Sequence, residues 1–320
     1  MVSQPTDGPL LPKKCPICNR TENLLACGGC KIISYCGAEH QTVHWRIAHK
    51  QQCNAVKRAQ RHYDAELVAL RENAGHWWRI IETRDAMRAR HGLVQALLNT
   101  NTVKSTEKAL EHLMDMFRLC RSDNMGLRDH TPHTMLRLNK LQECYDFVKW
   151  WQMADPEGTY DWGDTGLPYL SIKDAEVFEP CTFFDESWPD LAHATDRPPN
   201  APGCHSSHWR ESPTEIDDMI RQRAVCPVVA SRREIMGCSD QTDNIAKMGA
   251  EVLNLYELVN KANKHFWPAL LNPGGFLKAR SEAYSMVSEQ QMQLVLQSSY
   301  ASWADHPCAI EIIKTLSANS

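Results

Sequence analysis

The sequence predicts a mainly α-helical protein whose first fifty-odd residues form a separate, cysteine-rich module. Two observations support this fold class. Six of the 13 cysteines fall between Cys15 and Cys53, and apolar residues recur at helical spacing through much of the remaining chain. No convincing run of alternating strand residues occurs outside the module. With 320 residues, 42% of them hydrophobic, the chain is long enough to bury the core of one large or two ordinary domains.

The charge balance argues against a protein whose main task is binding nucleic acid. The formal net charge is −4, whereas domains of that kind usually carry a strongly basic charge or face. The charge is nevertheless uneven along the chain. Residues 13–61 carry nine Lys and Arg against Glu22 and Glu39, and residues 155–196 are acidic. Nucleic acid is therefore not the main partner that we expect.

The chain is expected to be intracellular, in the cytoplasm or the nucleus. Its N-terminal residues lack the apolar region of a secretory signal, and no run of about 18 apolar residues predicts a membrane span. In a reducing compartment, cysteines are metal ligands or buried thiols more often than disulfides.

Cysteine and histidine spacing in the N-terminal module is typical of zinc ligands. C-x2-C pairs reach one metal from a tight knuckle, and residues four apart reach one metal from a helical turn. Four such pairs give eight ligands, enough for two closed tetrahedral zinc sites without an open catalytic position. His44 is a weaker candidate ligand, because its spacing to Cys53 is poor. The four pairs are Cys15-x2-Cys18, Cys27-x2-Cys30, Cys36-x3-His40 and His49-x3-Cys53.

Residues 15–53, CPICNRTENLLACGGCKIISYCGAEHQTVHWRIAHKQQC, resemble the MYND family of zinc fingers. The resemblance rests on the four pairs, together with Tyr35, Gln41, Trp45 and the His49-Lys50 dipeptide. It implies two Zn²⁺ ions held in an interleaved cross-brace. One ion would be held by Cys15, Cys18, Cys36 and His40, and the other by Cys27, Cys30, His49 and Cys53.

The sequence departs from the MYND pattern at two points. His40 stands where most members have cysteine, which is a conservative exchange for zinc. Three residues separate Trp45 from His49 where two are commoner, so we expect the local helix to shift slightly.

The resemblance also implies a docking module for short, often proline-containing peptides. The peptide would lie beside a strand near Ile32–Tyr35, with Gln41 and Trp45 on the rim of the groove. In the alternative interpretation, Trp45 covers the small core of the finger and Gln41 caps a helix. Gly28 occupies the position at which the family often carries a polar side chain that helps to bind peptide.

The remaining chain reads as a helical body. Helical spacing predicts helices over residues 54–73, 84–99, 106–120, 125–138, 141–152 and 245–262, and a short helix after Pro307. The interval from Thr106 to Leu141 is close to the roughly 34-residue period of tetratricopeptide (TPR) hairpins, so we predict a TPR-like body, with an irregular bundle as the alternative. Capping boxes begin at Ser212 and Ser288.

The predicted organisation has five parts. They are a disordered N-terminus (1–12), the finger (13–55), a helical linker with TPR-like hairpins (56–152), an acidic and Pro-rich irregular segment (153–211) and a C-terminal helical segment that packs on the body (212–320). Several stretches resemble a fungal family with this architecture, among them LMDMFRLCRSDNMGLRD, ECYDFVKWW and KANKHFWPALLNP. This resemblance implies the architecture and does not indicate an activity.

These features together predict a zinc-binding adaptor that is not an enzyme. A lysine methyltransferase of the SET-MYND type is disfavoured, because the sequence lacks the Asn-His pair and the β-rich segments that such enzymes need. A transcription-associated regulator that contacts nucleic acid through the basic finger is a second alternative. Two further clusters are read as coincidental or solvated. They are Cys204, His205 and His208, and Asp161, Asp164, Asp174 and Glu176.

Overall fold

A computed structural model describes residues 11, 13–67, 74–179, 195, 228, 232, 240, 242–279, 285–306 and 309–319. Helices dominate these residues, and their named strands form a single two-stranded sheet, as the predicted mainly α fold with a small N-terminal finger requires. No described helix is long and apolar enough to cross a membrane.

The elements follow one another in a simple order. Strands β1 (Leu25–Ala26) and β2 (Ser34–Tyr35) lie in the finger and pair antiparallel. The α-helices are α1 (Ala38–His44), α2 (Lys50–Glu66), α3 (Arg84–Leu98), α4 (Val103–Leu119), α5 (Thr131–Arg137), α6 (Leu141–Met153), α7 (Thr242–Ala262), α8 (Phe266–Leu271), α9 (Glu289–Asp305) and α10 (Ala309–Asn319).

The chain divides into two compact units. The first, here called the finger unit, consists of Leu11–Thr134 and Asp161–Tyr169. The second, the carboxy-terminal unit, contains Met135–Tyr160 and the described residues from Leu170 onward. The finger therefore shares a unit with the first helices of the body. The predicted five-part boundaries and the TPR-like pattern stay predictions.

Helix α2 joins the finger to the helices that follow it. It buries Cys53 near its start and Val56 and Tyr63 further along, at intervals that keep all three near one face. Helix α2 packs on α3, and α3 packs on α4. The buried apolar residues of α3 and α4 complete this core, which includes Met87, Leu93, Val94, Leu97, Ala109, Leu113, Met116 and Phe117.

A buried polar network ties these three helices together. Arg90 on α3 forms an ion pair with Asp115 on α4, and its Nε donates to His112 Nδ1 at 3.2 Å. The Arg90 guanidinium also lies 5.3 Å from the centre of the Tyr63 ring on α2. Burial and the nearby Arg90 charge lower the pKa of His112 to about 4, so this imidazole is neutral near pH 7.

Capping and a turn explain two of the differences between the predicted and the observed helix boundaries. Helix α4 begins at Val103 rather than Thr106, because Thr102 and Ser105 form a reciprocal capping box. The predicted helix 125–138 is a 3-10 turn at Leu127–Asp129 followed by the short α5. The left-handed conformation of Gly126 (φ 66°) separates this segment from the preceding chain.

The carboxy-terminal unit is built around a cluster of aromatic residues. Trp267 on α8 stacks on Tyr256 with ring centres 5.3 Å apart, and it meets Phe266 and Trp303 edge to face. Its indole nitrogen donates to the Tyr256 carbonyl at 3.0 Å. Apolar residues of α7, α9 and α10 enclose the cluster, including Val259, Met292, Val295, Leu296 and Ile313.

Local signals explain how α8 and α9 begin. Phe266-Trp267-Pro268 forms the first turn of α8, since proline in the first turn removes only an N–H that has no partner within the helix. Ser288 caps α9 by accepting from Gln291 N at 3.1 Å. The Ser212 box lies outside the described residues.

Candidate metal centre

Two knuckles and a short hairpin fold the N-terminal segment locally. In the first knuckle, Cys15 N donates to Arg20 O and Asn19 N to Cys15 O, at 2.8 and 2.9 Å. The second knuckle follows β1, where Cys27 N donates to Ile33 O at 2.7 Å and Lys31 N to Cys27 O at 3.0 Å. Each turn aims two cysteine side chains into one space.

The first cluster combines Cys15 and Cys18 with Cys36 and His40, and their ligand atoms all lie within 4.8 Å of one another. Cys36 follows β2, and His40 lies in the first turn of α1. The Sγ atoms of Cys18 and Cys36 are 3.4 Å apart, and those of Cys36 and Cys15 are 3.8 Å apart. His40 turns Nδ1 toward the cluster, 3.7 Å from Cys15 Sγ.

The second cluster combines Cys27 and Cys30 with His49 and Cys53 within the same limit. His49 presents Nε2, which is 3.6 Å from Cys30 Sγ. His49 and Cys53 come from the end of a π-helical turn and the first turn of α2. Burial lowers the pKa of His49 and so favours the neutral imidazole, which is the form that binds a metal.

The separations within the clusters fit zinc. A tetrahedral zinc ion with Zn–S bonds of about 2.3 Å places its sulfur ligands about 3.8 Å apart. Each cluster supplies three sulfurs and one imidazole nitrogen, which is a closed structural ligand set. Along the chain the four pairs alternate between the two clusters, so the segment forms a cross-brace that fits two zinc ions.

The electrostatics of the clusters also favour a bound cation. Burial raises the pKa of Cys15, but backbone N–H groups and the His40 ring outweigh this effect and lower it to about 6. Burial and the neighbouring Cys30 and Cys27 raise the pKa of Cys53 to about 12. Three neighbouring thiolates repel one another, so the thiols of a cluster do not all ionise readily without a cation. A bound divalent cation offsets this repulsion.

The family model for the MYND finger matches residues 15–53. These residues are a MYND finger. Comparisons with curated proteins and with solved structures find no match to the chain. The family match ends at Cys53 and so describes the finger alone. The resemblance of the later, helical part of the chain to a fungal family stays a prediction.

The small core of the MYND finger is aromatic. Tyr35 is buried at the end of β2, and its hydroxyl lies 2.9 Å from His44 Nδ1. The His44 ring stacks on His49 with centres 5.8 Å apart. His44, the weaker candidate ligand, therefore belongs to neither cluster and instead positions the ligand His49.

Gln41 and Trp45, the predicted peptide-binding residues, both contact the zinc-ligand framework. Gln41 Nε2 donates to Cys27 Sγ at 3.6 Å, and the Trp45 ring meets His49 edge to face at 5.7 Å. Both side chains are half-buried, so each presents part of its surface to solvent. Trp45 therefore covers part of the finger core, as in the alternative interpretation, whereas Gln41 bonds to a ligand sulfur and does not cap α1.

A π-helical turn at Trp45–His49 bears out the helix shift that the Trp45–His49 spacing predicts. One additional residue in a helix is commonly accommodated as such a turn. Its helical hydrogen bonds continue directly into α2, so His49 and Cys53 still reach one cluster despite the added residue.

Adjacent glycines in the second knuckle provide a matched pair for testing the second zinc site. A Cβ on Gly29 would lie 2.9 Å from Cys53 Sγ, whereas a Cβ on Gly28 would meet no atom within 4 Å. We expect Gly29→Ala to distort the second cluster and weaken its zinc affinity about ten-fold or more, and Gly28→Ala to leave it unchanged. Competition with a chromogenic chelator would measure both, and equal affinities would contradict the knuckle geometry.

The other candidate clusters have structural explanations or lie outside the described residues. Asp161 and Asp164 each accept from a backbone N–H two residues ahead, at 2.8 Å, and so stabilise turns. Glu176 forms an ion pair with Arg232 at 2.8 Å. Asp174 N donates to the Asp146 carboxylate at 2.9 Å. Cys204, His205 and His208 are not among the described residues.

Proposed function

We propose that the protein is an adaptor whose MYND finger docks an extended segment of a partner protein beside β2. The observation that carries this proposal is the edge of β2. Among the described residues, β2 pairs with β1 alone, so its other edge carries no strand. Addition of an extended peptide to a sheet edge supplies affinity through backbone hydrogen bonds.

The half-exposed side chains of Gln41 and Trp45 suit a proline-containing segment. Trp45 offers an aromatic surface, and proline-rich peptides pack well on aromatic surfaces because their extended form is already ordered. Gln41 offers an amide that can bond to a peptide carbonyl. The helical body then supplies a second interaction surface and no catalytic centre.

Substitution of Trp45 tests this function in the full-length protein. We expect Trp45→Ala to weaken capture of partner proteins, or of a synthetic proline-rich peptide, about ten-fold or more, since exposed aromatic residues are common binding hot spots. Gln41→Ala is expected to have a smaller effect in the same direction. Affinity purification with mass spectrometry identifies the partners, and titration with the peptide gives the dissociation constant.

Zinc content is the control for this experiment. Because Trp45 contacts His49, native mass spectrometry must show two zinc ions on each variant before a loss of binding is assigned to the docking site. Partners that remain bound to both variants with two zinc ions present would place recognition in the helical body and overturn the proposal.

A further inference from the structure

The helical run from α1 through the π-helical turn into α2 carries a basic outer face. Its charged members are all exposed and recur at helical intervals along about four turns. Gln41, Trp45 and His49, which contact the zinc-ligand framework, are not part of this face. We call it the basic stripe, and its charged residues are Arg46, Lys50, Lys57, Arg58 and Arg61.

Among the residues that the structure describes, the cations of the basic stripe have no ion-pair partner. No Asp or Glu occurs between Glu39 and Asp64, and none of the five cations forms an ion pair with a described residue. Other arginines of the same unit behave differently. Arg88 pairs with Asp85, and Arg118 pairs with Asp115. An unpaired row of cations raises the local positive potential and attracts an acidic ligand.

Two exposed apolar side chains adjoin the basic stripe at its finger end. Val43 and Ile47 lie one turn apart and are 43% and 70% exposed. Phosphate groups gain nothing from such side chains, whereas apolar side chains of a protein segment would remove them from water. The combination of cations and apolar residues therefore favours a protein ligand over a nucleic acid.

We propose that the basic stripe, together with Val43 and Ile47, binds an acidic segment of a partner protein that carries apolar side chains. The acidic residues of that segment face Arg46, Lys50 and the cations of α2, and its apolar residues cover Ile47. Its residues differ from those proposed to dock a peptide at β2. This inference shares with the proposed function only the premise that the partner is a protein, and it can fail while peptide docking at β2 stands.

Peptide binding by the zinc-loaded full-length protein tests the stripe. The probe is a fluorescent 20-residue peptide in which Asp and Glu alternate with Leu and Phe, and a second peptide replaces Leu and Phe with Ser. We expect Arg46→Glu combined with Lys50→Glu to weaken binding of the first peptide about ten-fold or more. Ile47→Ser should weaken binding of the first peptide about three-fold or more and leave the affinity for the second peptide unchanged.

Matched controls separate the stripe from general charge attraction. Lys13→Glu combined with Lys14→Glu makes the same charge change at two exposed lysines elsewhere in the finger, and it should alter affinity less than about two-fold. Trp45→Ala should retain the acidic peptide, which distinguishes this site from the β2 edge. Far-UV circular dichroism and zinc counting verify that every variant is folded.

Three results would overturn the inference. The first is that the acidic, apolar peptide does not bind. The second is that the Lys13 and Lys14 control weakens binding as much as the stripe variant does, which would show general charge attraction. The third is that a 20-base-pair DNA duplex binds more tightly than either peptide and is insensitive to Ile47→Ser, which would assign the stripe to nucleic acid.

Discussion

Replacement of Cys53 by alanine is expected to remove one zinc ion and to destabilise helices well beyond the finger. Cys53 is a buried ligand of the second cluster and lies in α2, the helix that also buries Val56 and Tyr63. Structural zinc sites supply about 10–16 kcal/mol of apparent binding free energy in isolated fingers, which is comparable to the whole stability of a domain. Loss of this ligand should therefore loosen α2 from α3.

Cys18→Ala is the matched control for this prediction. Cys18 is an exposed ligand of the first cluster, in the knuckle that precedes the hairpin. We expect this variant to lose one zinc ion with a much smaller fall in helicity. Native mass spectrometry counts the metal, and thermal unfolding followed by far-UV circular dichroism measures the helices. Equal losses of helicity in the two variants would show that zinc at the second site does not stabilise the helices specifically through α2.

The asymmetry arises because α2 is held along its length by contacts with other helices. The Tyr63 ring meets His112 edge to face at 5.6 Å and lies under Arg90, and Gln52 near the helix start donates to the Asn99 carbonyl at 3.5 Å. A displaced first turn of α2 would disturb both contacts. The first knuckle lies in the same unit, but its two cysteines are not part of a helix that packs on the body.

The finger was predictable because its information is local. Each ligand pair lies within five consecutive residues, so spacing alone predicts that both members can reach one metal. Spacing does not say which pairs share an ion. That assignment came from the family resemblance, and it agrees with the clusters that the structure brings together. The one-residue departure between Trp45 and His49 is accommodated as a π-helical turn.

Contacts between distant residues could not be read from the sequence in the same way. The Tyr63, Arg90, His112 and Asp115 network joins three helices, and no local pattern marks its members as partners. The sequence pattern predicts too late a start for α4, because Ser105 completes its capping box where the usual signal is Glu or Gln. The close approach of Gly29 to Cys53 could not be predicted either, since the adjacent Gly28 has a similar local sequence and no such contact.

The second large effect is expected from Trp267→Ala in the carboxy-terminal unit. Trp267 is 2% exposed, contacts three aromatic rings and donates its indole N–H to the Tyr256 carbonyl. Removal of a buried tryptophan leaves a cavity that the surrounding rings can fill only in part. We expect a loss of about 3–5 kcal/mol in the free energy of unfolding of this unit, measured by urea denaturation with far-UV circular dichroism.

Leu253→Ala on α7 is the matched control, because its side chain is 48% exposed and alanine suits a helix interior. This change should alter stability by about 0.5 kcal/mol or less. Both variants should retain two zinc ions, since every ligand lies in the finger unit. A Trp267→Ala protein that loses less than about 1 kcal/mol would contradict the aromatic core. Zinc loss in that variant would instead show that the folding of the finger depends on the carboxy-terminal unit, because no zinc ligand has been changed.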